Sequence, residues 1–304
     1  MTKKDLVSVC ICTYKRPHYF KELLKALDTQ ETGGLFDYET VVVDNDRNES
    51  ARLVVEFEAY RSKREIRYVV EPEQNIALAR NKAVANARGN LIAFIDDDEL
   101  PGPSWLIELF KALALFETAG VLGPVLPRFA SPPPRWVLEG RFFDRQRYYS
   151  GHFLYWEMTR TGNCLLKRSV FENGSLWFDR RFGRGGEDRD FFKRMSAHGH
   201  VFVWCDEAPL QEWINPERWS KPVMVKRALL RGIMTYESRK GRPWDPIMSF
   251  APLFVYSFSL PYLLLMSPLM GFDVFMTYAI KSLDHWGKIF AVLGYNPVKE
   301  RYIT

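Results

Sequence analysis

The stretch Leu91-Ile92-Ala93-Phe94-Ile95-Asp96-Asp97-Asp98-Glu99 sets five apolar residues directly before four consecutive acids. A short apolar run bounded by turn signals reads as a strand buried on both faces, as in a parallel sheet. Its carboxyl end then delivers several carboxylates to one sheet edge, the edge at which open α/β sheets bind ligands. Gathering that much negative charge is unfavourable unless a cation shares the site, and clustered oxygen ligands suit Mg²⁺ or Mn²⁺. The reading is a divalent metal holding a phosphate. The competing reading is a solvated acidic loop ahead of a helix that begins near Pro103-Ser104-Trp105.

Working outward, residues 7–13, 39–43, 66–70 and 91–95 read as strands, and 19–29, 50–61 and 76–88 as helices. This alternation predicts an α/β fold with a mostly parallel, doubly wound sheet and right-handed crossovers. Gly89 falls where a helix C-cap is expected. Each strand end is polar: Thr13-Tyr14-Lys15-Arg16, Asp44-Asn45-Asp46, Glu71 to Asn75, and the acidic run, all predicted to converge on one edge. Asp44 is suited to accept hydrogen bonds from a base or ribose. Asn75 is placed to cap the next helix and set backbone N–H groups beside an anion, which Arg80 can reach from the second turn. Each of these residues alone also reads as a turn former, cap or surface charge. No Gly-rich phosphate loop of the dinucleotide or P-loop type follows a strand, which disfavours an NAD oxidoreductase or an ordinary NTPase.

A second acidic feature, Gly185-Gly186-Glu187-Asp188, opens a helical segment that Gly199 terminates. Helical spacing puts Asp188 on the face of Phe191, Phe192 and Met195, an unusual place for an acid. With glycines permitting close ligand approach, it can act as a general base against a hydroxyl. Acids in a first helical turn also stabilise the helix dipole, a reading that Glu187 fits equally.

The 304 residues carry a formal charge of +5, and no nucleic-acid partner is expected. Positive charge gathers between Arg218 and Arg242, a segment suited to anionic lipid or polyphosphate or to a solvated helix face. Next comes a charge-free stretch, 246–272, long enough to span a bilayer but expected to be interrupted by Pro252, Pro261 and Pro268. We read it as helices in or near a membrane interface, with a buried core or an oligomer interface as the competing explanation. Between these regions aromatics cluster, Trp136, Phe142, Phe143, Tyr148, Tyr149, Phe153, Tyr155 and Trp156, suiting a sugar-facing or lipid-facing lobe or simple core packing. The opening residues are too polar for a secretory segment, and Cys10, Cys12, Cys164 and Cys205 lack metal-type spacing. Reduced thiols and a cytoplasmic setting are expected.

Taken together, Val7 to Arg16, Val41-Val42-Val43-Asp44-Asn45, Asn75 to Asn81, Asp96 to Glu99 and Gly186-Glu187-Asp188 resemble the family 2 glycosyltransferases of the GT-A fold. Thr161 to Leu166, Phe178-Asp179 and Glu212 to Arg218 are similar, more loosely, to the branch containing succinoglycan-type exopolysaccharide glucosyltransferases. The resemblance implies inverting transfer from a nucleoside diphosphate sugar, a UDP-sugar, to an acceptor hydroxyl. It implies nucleotide binding by Thr13, Tyr14, Arg16, Asp44, Asn75, Arg80, Asp96 and Asp97, and Mn²⁺ or Mg²⁺ held by Asp98 and Asp96. The metal register within the four acids stays open. Asp188 matches the catalytic base, with Gly186, Glu187, Trp213 and Arg218 toward the acceptor. The Gln-any-any-Arg-Trp signature of processive synthases is missing, since Gln211 and Arg218-Trp219 do not fit its spacing. Addition of one sugar to a lipid-linked glycan at the cytoplasmic membrane face is therefore expected. The rivals are a polyprenyl-phosphate sugar transferase and a silent nucleotide-binding or lipid-binding scaffold. Residues 1–235 are expected to form the catalytic domain, with a nucleotide-sugar half to about 125 and an acceptor half beyond it, and 236–304 a membrane-associating helical region.

Overall fold

Period-two burial along the central strands organises the molecule. The structure, a computed structural model, describes residues 4–172, 177–183, 185–238 and 245–298. In β1 (Asp5–Thr13), Val7, Val9 and Ile11 face one core while Cys10 faces another. After α1 (Pro17–Asp28), β2 (Phe36–Asp44), α2 (Arg52–Arg61), β3 (Ile66–Val70) and α3 (Ile76–Asn86) comes β4 (Leu91–Ile95), which repeats the pattern. Leu91, Ala93 and Ile95 join the first core, and Ile92 and Phe94 the second. A strand apolar on both faces must be covered on both, which is why the run 91–95 shows no polar alternation.

The chain continues with β5 (Glu99–Pro101), α4 (Trp105–Leu115), β6 (Gly120–Leu122), β7 (Val125–Phe129), α5 (Arg135–Glu139), β8 (Asn163–Lys167), α6 (Glu187–Ala197), β9 (Phe202–Trp204) and β10 (Leu210–Ile214). Helices α1 and α4 cover the first core with Phe20, Leu23, Trp105 and Leu109. On the other face α3 presents Ala79 and Ala83 and α6 presents Phe191 and Phe192. Each buried phenylalanine contributes about 1.5–3 kcal/mol relative to exposure. Among the described residues the main sheet has the order β3-β2-β1-β4-β8-β6-β9. Its pairs are parallel except where β8 runs antiparallel to β4 and β6. A small sheet, β5-β10-β7, pairs Glu99 with Glu212.

Two compact units result, Met1–Arg128 with Arg145–Trp213, and Phe129–Asp144 with Ile214–Thr304. The position near 235, where the catalytic and membrane-associating regions are expected to meet, falls inside α7 (Lys221–Ser238) of the second unit. That unit adds α8 (Asp245–Met270) and α9 (Phe272–Val292) and has its own core of Val137, Trp219, Met224 and Met276. Helices α7 and α9 cross closely: a Cβ at Gly232 would fall on the Asp284 carbonyl, and one at Gly287 on the Leu229 carbonyl.

Two local expectations are corrected. Pro252, Pro261 and Pro268 do not interrupt α8, which runs through all three while packing on α9, tied by Ser257 and Ser282 hydroxyls 2.8 Å apart. Helix α3 ends at Asn86 with Ala87 as its C-cap, so Gly89 is no cap. It lies where a Cβ would sit 2.7 Å from the Ser8 nitrogen, against β1. Phe250–Met270 is the one helix among the described residues long and apolar enough to cross a membrane, with mean hydropathy 1.6. Arg239, Lys240 and Arg242 of the basic segment lie outside the described residues.

Candidate active site

The parallel pairing of β1, β2 and β4 brings Thr13, Asp44 and the acids after Ile95 to one edge, as expected from their strand ends. Thr13 Oγ1 donates to Asp97 at 2.8 Å, and Arg16 Nη1 reaches Asp97 at 3.2 Å and Asp98 at 2.9 Å. The residues after the first strand thus hold the middle acids of the run. Burial and the neighbouring Asp97 carboxylate push Asp98 up to about 7 against the opposing pull of Arg16. Burial also raises Asp97, offset by Arg16 and the Thr13 hydrogen bond, and it raises Glu99 well above the usual carboxylate range.

Glu99 folds back so that Oε2 accepts the Asp96 N–H at 3.0 Å, and its Oε1 is buried without a hydrogen-bond partner. Gly162 makes this possible, since a Cβ there would lie 2.9 Å from Glu99 Oε1 and 3.1 Å from Asp96 Oδ2. Arg145 neutralises the same corner, bonding Glu212 at 2.5 Å and lying 4.0 Å from Glu99. Arg160 is desolvated beside Arg145, which lowers its pKa, while Asp188 acts the other way.

The two acidic motifs meet through Arg80. Its guanidinium pairs with Asp96 at 3.3 Å and, through Nη1, closely with Glu187 at the start of α6. Glu187 is 4% exposed and Arg80 7%, so the link is a buried one. This corrects the expected face of Asp188: the acid on the inward stripe with Phe191, Phe192 and Met195 is Glu187, and Asp188 is half-buried beside it. The ion pair is the reason, because Arg80 draws the Glu187 carboxylate inward. Asp188 Oδ1 accepts the N–H of Arg189 at 2.7 Å, and Gly186, at φ +90°, turns the chain into the helix.

Other expected residues take more local positions. Asp44 is fully buried, and its oxygens accept from Asp46 N–H, Ala51 N–H and the Tyr68 hydroxyl at 2.8–3.0 Å, organising the loop after β2. Asn75 caps α3 as expected, accepting from Leu78 N–H at 3.2 Å while its Nδ2 donates to the Arg180 carbonyl. The Ile76 N–H meets the Gly183 carbonyl at 3.4 Å, so the first turn is shared with the loop ahead of α6. Tyr14 has Lys15 Nζ 5.1 Å from its ring centroid. The backbone N–H of Trp213 donates to the Asp98 carbonyl at 2.8 Å, and the Trp213 ring stacks under Arg128 at 4.2 Å. Arg218 belongs to the second unit, 5.9 Å from the Phe143 ring. Sequence reasoning missed Arg145 and Arg160, and it took in Gly162 and Asn163 only as part of the motif Thr161 to Leu166, with no role at the site. Asn163 is fully buried, accepts from Trp105 Nε1 and donates to the Pro124 and Ala208 carbonyls.

A divalent cation is testable against this arrangement. Among the described residues no three His, Cys, Asp or Glu side chains gather at metal-ligand spacing. What is present is a group of largely buried carboxylates with raised pKa values, Asp97, Asp98 and Glu99, beside Asp96, whose side chain is about half exposed. That fits a cation bound by one or two carboxylates that takes its remaining ligands from a diphosphate.

Comparison with known proteins agrees with the fold. Residues 8–174 match the family model "Glycosyl transferase family 2", and the chain belongs to that family. It is 33% identical over 232 residues, 74% of this chain and 72% of the relative, to the succinoglycan biosynthesis protein ExoM of Rhizobium meliloti (strain 1021). It is 27% identical over 255 residues, 80% of this chain and 74% of the relative, to the glucosyl-dolichyl phosphate glucuronosyltransferase of Haloferax volcanii. Staphylococcus aureus TarS 1-349, crystallised with UDP-GlcNAc, superposes with a TM-score of 0.52 at 16% identity over 96% of this chain and 93% of that one. That likeness establishes the GT-A fold. The protein is therefore a glycosyltransferase.

Proposed function

We propose that the enzyme transfers one sugar, with inversion, from a UDP-sugar to a hydroxyl of a lipid-linked oligosaccharide in surface or extracellular polysaccharide synthesis. The observation that carries this reading is the chain Asp96–Arg80–Glu187–Asp188, which joins the donor-side acids to an acid in the first turn of α6. Asp188 is the base: its carboxylate takes the acceptor proton as the acceptor oxygen bonds to the anomeric carbon, and the bond from that carbon to the UDP oxygen breaks. Arg80 and Glu187 position Asp188. Thr13, Tyr14 and Arg16 lie on the nucleotide side, with Asp44 and Asn75 shaping the loops around it. Bound at Asp98 and Asp96, Mn²⁺ or Mg²⁺ would stabilise charge on the departing diphosphate.

The ExoM relative supports polysaccharide synthesis, and the Haloferax relative, by its name, supports a sugar carried on a lipid phosphate as acceptor. The UDP-GlcNAc complex of TarS supports the donor class. The apolar exposed side chains of α8, with Phe254, Phe258, Leu265 and Leu269 among them, support attachment to a membrane. Four free cysteines suit its reducing, cytoplasmic face.

The test measures UDP release with a panel of UDP-sugars, lipid-linked acceptors, and Mn²⁺ or a chelator. Asp188→Asn should lower turnover by about 10²–10⁴-fold while UDP-sugar binding persists. Near-normal turnover of that variant with polyprenyl phosphate, an acceptor already ionised, would replace the hydroxyl acceptor with the phosphate.

A further inference from the structure

Arg160 is a charged side chain of the first unit that the proposed chemistry leaves without a task. It enters the site through β8. Asn163 lies opposite Ile95 in the antiparallel pairing, so the residues ahead of it run beside the acids that follow β4. Gly162 shows how closely they run, since a Cβ there would lie 2.9 Å from Glu99 Oε1 and 3.1 Å from Asp96 Oδ2. Two residues earlier the chain holds Arg160, and the turn before it is pinned by the buried Thr159, whose Oγ1 donates to the Trp156 carbonyl at 2.7 Å.

Its surroundings differ from those of the other guanidinium groups here. Arg16 is committed to Asp97 and Asp98, Arg80 to Asp96 and Glu187, and Arg145 to Glu212. Arg160, half-buried, makes no hydrogen bond, ion pair or ring contact with a described residue. Burial and the neighbouring Arg145 both act against its charge, while the attraction of Asp188, then of Glu99 and Glu212, comes from beyond ion-pair distance. A guanidinium carries five N–H donors in a planar fork. Keeping them desolvated and unspent beside a second guanidinium is unfavourable unless a ligand oxyanion completes the arrangement.

The carboxylates that act on Arg160 belong to both sides of the proposed reaction, Asp188 as the base and Glu99 in the donor-side run. The bond that breaks lies between those sides, and its electron pair goes to the diphosphate oxygen. We propose that Arg160 donates its N–H groups to the sugar-bearing phosphate of the nucleoside diphosphate donor, the phosphate on which charge grows as the sugar departs. The inference rests on the donor reading of the proposed function and adds to it a cation that the chain itself supplies.

The experiment titrates the full chain calorimetrically with UDP and with UMP at fixed pH and Mg²⁺, because only UDP carries the second phosphate. Arg160→Gln should weaken UDP binding by about 10- to 100-fold, the range of a charge-assisted hydrogen bond, and change UMP binding by less than about threefold. Arg160→Lys keeps the charge but not the paired donors, so it should recover part of the UDP affinity. Arg147→Gln removes a cation paired with Asp206 at the surface and should leave the UDP-to-UMP ratio unchanged. Having no partner in the ligand-free fold, Arg160 can be replaced by glutamine without lowering the Tm, whereas Arg145→Gln strands Glu212 and should lower it. The proposal is overturned if Arg160→Gln keeps the UDP-to-UMP ratio of the unaltered protein, if it lowers both affinities alike together with the Tm, or if Arg147→Gln shifts the ratio as far. An unaltered protein that binds no UDP defeats the donor reading and this proposal with it, while UDP binding that ignores Arg160 defeats the proposal alone.

Discussion

Replacing Arg80 by methionine tests the link between the two acidic motifs most directly. The residue makes two unequal contacts, one to Glu187, whose side chain is 5% exposed, and one to Asp96, whose side chain is 47% exposed. The Asp96 contact, solvated on one side, contributes about 0–1 kcal/mol. The Glu187 contact differs because its Oε2 is buried with no hydrogen-bond partner. Removing the guanidinium leaves that carboxylate buried and unpaired, which costs about 3–5 kcal/mol. Removing both charges in Arg80→Met/Glu187→Leu takes away the unpaired ion and should recover most of the loss. Urea unfolding of the four proteins in the cycle, followed on the transition of the first unit, then gives a coupling energy of about 2 kcal/mol or more. The double variant should fold yet turn over slowly, because nothing then ties the first turn of α6 to the donor-side acids. An Arg80→Met loss below about 1 kcal/mol, with effects additive to about 0.5 kcal/mol, would refute the reasoning.

Three further outcomes follow from single features. Asp98 is raised to about 7 in the fold, above its unfolded value near ~3.9, so its contribution to stability is fully present below that lower value and is lost as pH rises through about 7. The ligand-free protein should melt progressively lower between about pH 5 and pH 8, and Asp98→Asn should flatten the trend; a Tm that climbs over this window is the contrary result. Gly232→Val sets a side chain against the Asp284 carbonyl and should destabilise the second unit by about 1–3 kcal/mol while nucleotide binding to the first persists, as calorimetry with UDP would report. Asn163→Ala strands the Trp105 indole N–H and two carbonyls in the buried interior and should cost about 3 kcal/mol in chemical denaturation; a loss under about 1 kcal/mol would mean that water replaces the amide.

What could be read from the chain was whatever short-range pattern determines. The run 91–95 and its acids, the polar ends of β1 and β2 and the Asn75 cap are local signals, and the structure assembles them at one edge. The ion-pair partners were not legible. Arg145 meets Glu212 across 67 positions and Arg80 meets Glu187 across 107, and no periodicity connects residues that far apart. Spacing alone puts Asp188 on the inward stripe, yet one position of helical rotation separates it from Glu187, and the buried cation decides which acid turns in. The prolines of α8 mislead for a related reason: each weakens the helix locally, and packing along α9 outweighs that propensity.

The four acids that open the reading are not equivalent, and their surroundings sort them. Asp97 is 5% exposed and gripped by Thr13 and Arg16, so its oxygens are spent on joining β1 to the loop after β4. Glu99 is 1% exposed and turned back onto the Asp96 backbone beside Arg145, which makes it a brace for the loop. Asp98 faces Arg16 with its carboxylate raised by burial, and Asp96 alone of the four keeps about half of its side chain in solvent while touching Arg80. Two of the acids therefore stabilise the geometry, and the other two, Asp96 and Asp98 at aspartate-any-aspartate spacing, are the pair that the proposed function assigns to the ligand. The arrangement also explains why the run is four acids long: holding Asp96 and Asp98 in place requires partners that a solvated loop would not supply, and Asp97 and Glu99 provide them by binding Arg16 and facing Arg145.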